Sequence, residues 1–172
     1  MTKNSRSSTC EGFSLVEVAI ALGVAAVVFV SLLGLIAVGQ NTNKESSDRT
    51  AAAMIAASII ADLRTTPVSI PPAEKSSPRF QIPLPVSGNA MHTIFLRDDC
   101  SAAGAVDTDA NATLDARYRV TLFITAPADT TQKNATVTRV LITWPALADP
   151  AAQTLPSKYV GSFEAVTALN RN

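Results

Sequence analysis

Histidine occurs once, at His92, tryptophan once, and cysteine only twice in 172 residues. A lone histidine leaves zinc without a second imidazole, and Ser-His-Asp chemistry without a clustered set. Neither sign of charge prevails, because 14 Lys and Arg balance 14 Asp and Glu. No net field therefore draws in nucleic acid or acidic lipid. Glycine-rich phosphate loops, basic stripes and paired catalytic carboxylates are all missing. Enzymatic chemistry has nothing to stand on, and no cofactor is expected. Two cysteines, Cys10 and Cys100, do not make a disulfide framework.

Charge is also missing locally. Val18 to Val38 is 21 residues without a charged side chain. At about 1.5 Å per residue such a helix spans roughly 30 Å, the thickness of a bilayer core. A fully buried soluble helix would need a large domain around it, and the remaining residues are too polar to supply one. A cleaved secretory signal fits less well, since its apolar region runs about 7–15 residues. Cys10 stands before the apolar run, which removes a lipoprotein reading. The segment reads as a retained membrane span.

From Gln40 the pattern turns amphipathic. Ala52, Ile55, Ala56, Ile59, Ile60 and Leu63 share one stripe at helical spacing. Lys44, Glu45, Asp48 and Arg49 mark the exit from the membrane. Pro67 stops the helix, because the residue before a proline is biased away from helical angles. Residues 13–66 thus read as one helix roughly 80 Å long. Residues 67–87 hold six of the ten prolines and read as an extended connection leading away from the helix. Strand signals follow at 91–97, at 119–125 with Val120, Leu122 and Ile124 on one face, and at 136–144 with Val140, Ile142 and Trp144 together. A weaker one lies at 161–169, and 126–135 reads as a hairpin loop. An antiparallel sheet with one buried face needs a cover. The stripe from Ala52 to Leu63 supplies it.

The stretch Gly12-Phe13-Ser14-Leu15-Val16-Glu17, followed by about twenty apolar residues, resembles the class III signal of type IV prepilins and type II secretion pseudopilins. The resemblance implies a pilin-like α+β fold, a long N-terminal helix packed on a small antiparallel sheet. It also implies cleavage by prepilin peptidase between Gly12 and Phe13, methylation of the new Phe13 amine, and Glu17 as the fifth mature residue. Residues 1–12 would be the leader, 13–39 the transmembrane half of the helix, 40–66 its amphipathic half, and 67–172 the connection and globular domain. Within the family, LVEVAIALGV is closer to minor pilins and minor pseudopilins. VLITWPALADP and GSFEAVTALNR resemble a verrucomicrobial group of pilin-like cassette proteins. Loss of the leader would remove Cys10 and leave Cys100 alone.

Glu17 is the expected assembly residue. A carboxylate deep in a span costs about 2.5–3.5 kcal/mol on insertion scales, and less near the interface. The Phe13 amine of a neighbouring subunit is a cationic partner that would offset this and set register. Gly23 and Gly34 fit either local melting of the helix or close helix packing. Lys3 and Arg6 precede the span while Lys44 and Arg49 follow it, so charge counting gives no topology. The resemblance places the leader in the cytoplasm, the helix in the bacterial inner membrane, and the globular domain outside.

Asp107, Asp109, Asn111 and Asp115 put oxygen ligands at alternate positions, as a calcium loop does. Ala112 stands where an EF-hand has its turn glycine, and Tyr118 where it has a bidentate glutamate, so a solvated acidic loop is the favoured reading. His92 is expected at a strand edge, and Trp144 in the core at a strand end. The expected function is assembly of a pilus or pseudopilus, with prepilin peptidase, other pilin subunits and inner-membrane lipid as partners. The alternative is a single-pass, membrane-anchored binding module that never polymerises.

Overall fold

A computed structural model describes residues 14–66, 75–108, 114–128, 135–148 and 159–170. The chain divides into two compact units, residues 1–44 and 45–172. One helix, α1 (Leu15–Thr65), begins in the first and ends in the second. The remaining elements are β1 (Lys75–Ser76), β2 (Pro83–Leu84), β3 (Gly88–Leu96), β4 (Tyr118–Ala126), β5 (Thr136–Trp144) and β6 (Gly161–Leu169). The fold is α+β, with antiparallel sheets following a long apolar helix.

In the first unit every residue from Ser14 to Lys44 is exposed. In the second unit α1 buries one stripe, formed by Asp48, Ala52, Ile55, Ala56, Ile59, Asp62 and Leu63. Those positions recur every three or four residues, the repeat of one helix face. β3, β4, β5 and β6 form a four-stranded antiparallel meander in that order. Its register sets Ile94 beside Val120, Val120 beside Ile142, and Ile142 beside Phe163. Alternation then places Val120, Leu122 and Ile124 on the face that meets the helix. Ile55, Ile59 and Leu63 join them in one core with Val140, Ile142 and Trp144. Burying each such side chain contributes about 1.5–3 kcal/mol. Trp144 ends β5 in the core, meeting Tyr118 edge to face at 6.2 Å.

The proline-rich connection departs from the expectation. Residues 67–74 lie outside the described residues, but 75–84 fold back as a two-stranded hairpin instead of leading away. Phe80, Ile82 and Leu84 from this hairpin enter the helix–sheet core. Two devices hold the turn. Ser77 accepts the Gln81 amide at 3.1 Å through its carbonyl, with Gln81 at φ 56. Asp62 on α1 accepts the amides of Arg79 and Phe80 at 2.9 and 3.0 Å. The alternation Phe80, Ile82, Leu84 was legible, but Pro83 within it and Pro78 and Pro85 beside it concealed it. Pro83 sits in a two-residue strand at an edge, where a missing amide is harmless.

Candidate functional site

The apolar part of α1 is the first candidate. Ser14 opens the helix, its carbonyl accepting the Val18 amide at 3.2 Å. Glu17 lies in the first turn, where a carboxylate meets the positive end of the helix dipole. The hydroxyls of Ser31 and Thr42 donate back to the carbonyls of Val27 and Val38 at 2.9 and 3.0 Å. Such bonding satisfies a polar group without water. Large apolar side chains such as Leu15, Ile20, Phe29, Leu33 and Leu35 stand 63% exposed or more. A β-carbon added at Gly23 or Gly34 meets nothing within 4 Å, so packing among the described residues does not require either glycine. By length and composition this is a helix able to cross a membrane. Gly12 and Phe13, the expected processing pair, lie outside the described residues.

The acidic residues of the globular unit are engaged separately. Asp107, at φ 60, accepts the Thr93 amide on Oδ1 at 2.7 Å and meets His92 Nδ1 through Oδ2 at 2.8 Å. Asp115 pairs with Arg97. Asp98 pairs with Arg117 at 3.1 Å. Asp99 accepts the Ser101 amide at 2.9 Å, and Ser101's hydroxyl and amide together hold its carboxyl below the usual range. Asp109 and Asn111 lie outside the described residues. Among the described residues no three His, Cys, Asp or Glu side chains gather to hold a metal. His92 lies on β3, an edge strand, with Nε2 buried and unpartnered among the described residues. Cys100 is a half-buried free thiol.

One polar cluster escaped the sequence reading. Asp48, 5% exposed on the buried stripe, pairs with the Arg117 guanidinium and accepts the Tyr118 hydroxyl at 3.2 Å. Burial opposes the charge on Arg117, but the Asp48 and Asp98 carboxylates outweigh it and raise its pKa. Burial also pushes the Tyr118 phenol up to about 12, and the Asp48 charge adds to the shift. The signal was present in the sequence: Asp48 and Asp62 both fall in register with Ala52, Ile55 and Ile59. A carboxylate on a buried stripe requires a partner.

No family model, curated protein or solved structure matches this chain.

Proposed function

We propose that the chain is a pilin-like assembly subunit, a minor pilin or pseudopilin of a type IV pilus or type II secretion-like filament. One observation carries the reading. The signal at Gly12 to Glu17 leads into a helix that is apolar and exposed as far as Val38, while its later turns bury a stripe in their own globular unit. The exposed part needs an apolar surrounding that the described residues do not supply. Lipid supplies it before assembly, and helices of neighbouring subunits supply it afterwards. Prepilin peptidase removes residues 1–12 at the cytoplasmic face. The globular unit then faces outward from the inner membrane, and Glu17 meets the Phe13 amine of the adjacent subunit. The role is structural, and no reaction is assigned to it.

The test is the N-terminal residue of the protein isolated from its own cell's membranes. A methylated Phe13 supports processing and assembly. An intact Met1 or Thr2, in cells with a working prepilin peptidase, removes the assembly reading and leaves a single-pass, membrane-anchored binding module.

A further inference from the structure

The two edges of the four-stranded sheet are treated differently. Beside β3 runs a strap formed by residues 97–107. Ala103 and Asp107 donate their amides to the carbonyls of Phe95 and Thr93, each at 2.8 Å. Asp107 Oδ1 accepts the Thr93 amide in return. The amide and carbonyl of Thr93 and the carbonyl of Phe95, which β3 directs away from the sheet, are thereby consumed.

The same contacts assign the other edge. Backbone groups along an antiparallel strand point alternately to its two sides. Thr93 and Phe95 point outward, so the even-numbered residues of β3 bond to β4. The register Ile94–Val120, Arg119–Thr143 and Ile142–Phe163 carries this alternation across the sheet. In β6 the odd-numbered residues therefore bond to β5. Ser162, Glu164, Val166 and Ala168 direct their amides and carbonyls away from the sheet. Among the described residues no backbone group meets them. β6 is nine residues long, and it has no proline, lysine or arginine. Natural edge strands usually carry such guards against pairing.

We propose that β6 is a strand-addition edge that receives an extended segment of a different polypeptide. That segment carries apolar side chains toward the core and a basic side chain beside Glu164. On the core side, Thr167 and Leu169 are buried while Phe163 and Ala165 are only half-buried against the core. The apolar layer thus reaches the edge incompletely covered, and the inward side chains of an added strand complete it. On the other side Glu164 is the one charged residue of β6. Its Oε1 forms an ion pair with Arg139 Nε at 3.0 Å, and its carboxylate stays 50% exposed for a second cation. A second copy of this chain is a poorer complement. Its β3 edge is strapped along its second half, at Thr93 and Phe95, its β1 and β2 have two residues each, and its β6 would bring another Glu164. Such recognition takes affinity from main-chain hydrogen bonds and specificity from alternate side chains. The proposal holds whether or not the chain polymerises.

The test places a benzophenone side chain at Ser162 or at Ala168 of the full-length protein in its native membranes. After irradiation, attachment points are mapped by mass spectrometry. Both positions are expected to capture one polypeptide other than this chain, at sites about six residues apart, as paired extended strands require. Val166→Pro replaces an amide that points off the sheet, a position where an edge strand tolerates proline. It is expected to lower adduct yield at least about tenfold with the melting temperature held. Ala168→Pro serves the same purpose near the strand end, should the first variant misfold. Adducts only with another copy of this chain, scattered attachment points, no adduct, or a yield indifferent to both prolines in folded protein each overturn the proposal.

Discussion

The indole of Trp144 lies across the α-carbon of Gly161, its partner in the β5–β6 ladder, so closely that an added β-carbon would overlap the ring. The space above Gly161 is therefore occupied by Trp144 itself. Gly161→Ala forces the indole out of its place against Tyr118 and is expected to destabilise the globular unit by about 1–3 kcal/mol. Trp144 is the sole tryptophan, so its fluorescence during urea unfolding of the full-length protein in detergent reports the change directly. An unchanged midpoint would mean that the ring moves aside freely.

Asp62→Ala tests the clasp between α1 and the proline-rich hairpin. The carboxylate accepts two backbone amides, those of Arg79 and Phe80, and the Phe80 bond is buried. Losing the acceptor leaves both donors without a protein partner. A buried unsatisfied donor costs about 1–3 kcal/mol, and the half-exposed Arg79 amide adds less. The expected loss is about 2–4 kcal/mol, read as the shift in the urea midpoint. Asp62→Asn keeps one acceptor and should lose less. Equal losses from the two variants would point to packing rather than hydrogen bonding.

Tyr118 gives a pH dependence with a definite sign. Its folded pKa is pushed from the ordinary 10.0 to about 12, first by burial and then by the Asp48 charge, against the lowering effect of Arg117. The folded state holds the phenolic proton more tightly than the unfolded state does. This contribution is therefore fully present below pH 10 and is lost as pH rises through the window toward 12. Stability measured across that window should fall with pH, and Tyr118→Phe should flatten the slope while lowering stability at neutral pH. An unaltered slope in Tyr118→Phe would assign the alkaline loss to other groups.

The strands were legible where apolar residues alternate with polar ones. Thr136–Trp144 and Gly161–Leu169 have the bounds their patterns suggest, while β3 begins three residues early because Gly88-Asn89 reads locally as a turn. The helix stripe was equally plain from Ala52 to Leu63. The hairpin at 75–84 was not, because proline frequency reports missing amides but not where a chain goes next. Only the carboxylate of Asp62 and the apolar alternation from Phe80 to Leu84 specify its return. Asp48 was read as a membrane-exit charge because its partners, Arg117 and Tyr118, lie about seventy residues away in sequence. Local spacing carries no information about such a pair. The edge groups of β6 depend on pairing alternation, which a single strand does not reveal.

Glu17→Ala separates a register contact from a merely tolerated acid. Glu17 lies in the first turn of α1 within an exposed apolar run. Removing a carboxylate from a span lowers the cost of insertion, so the variant should enter the membrane and lose its leader at least as well as the natural chain. If the carboxylate meets the Phe13 amine of a neighbouring subunit, the same change removes the one specific polar contact in an otherwise non-directional apolar interface. Incorporation into filaments is then expected to fall at least about tenfold, equivalent to 1.4 kcal/mol or more at each subunit contact. Quantifying the processed protein in sheared filaments against that in membranes measures both steps in one sample. Normal incorporation with normal processing would eliminate the pairing and leave helix burial alone to hold the subunit. Poor insertion would contradict the energetics of the span itself.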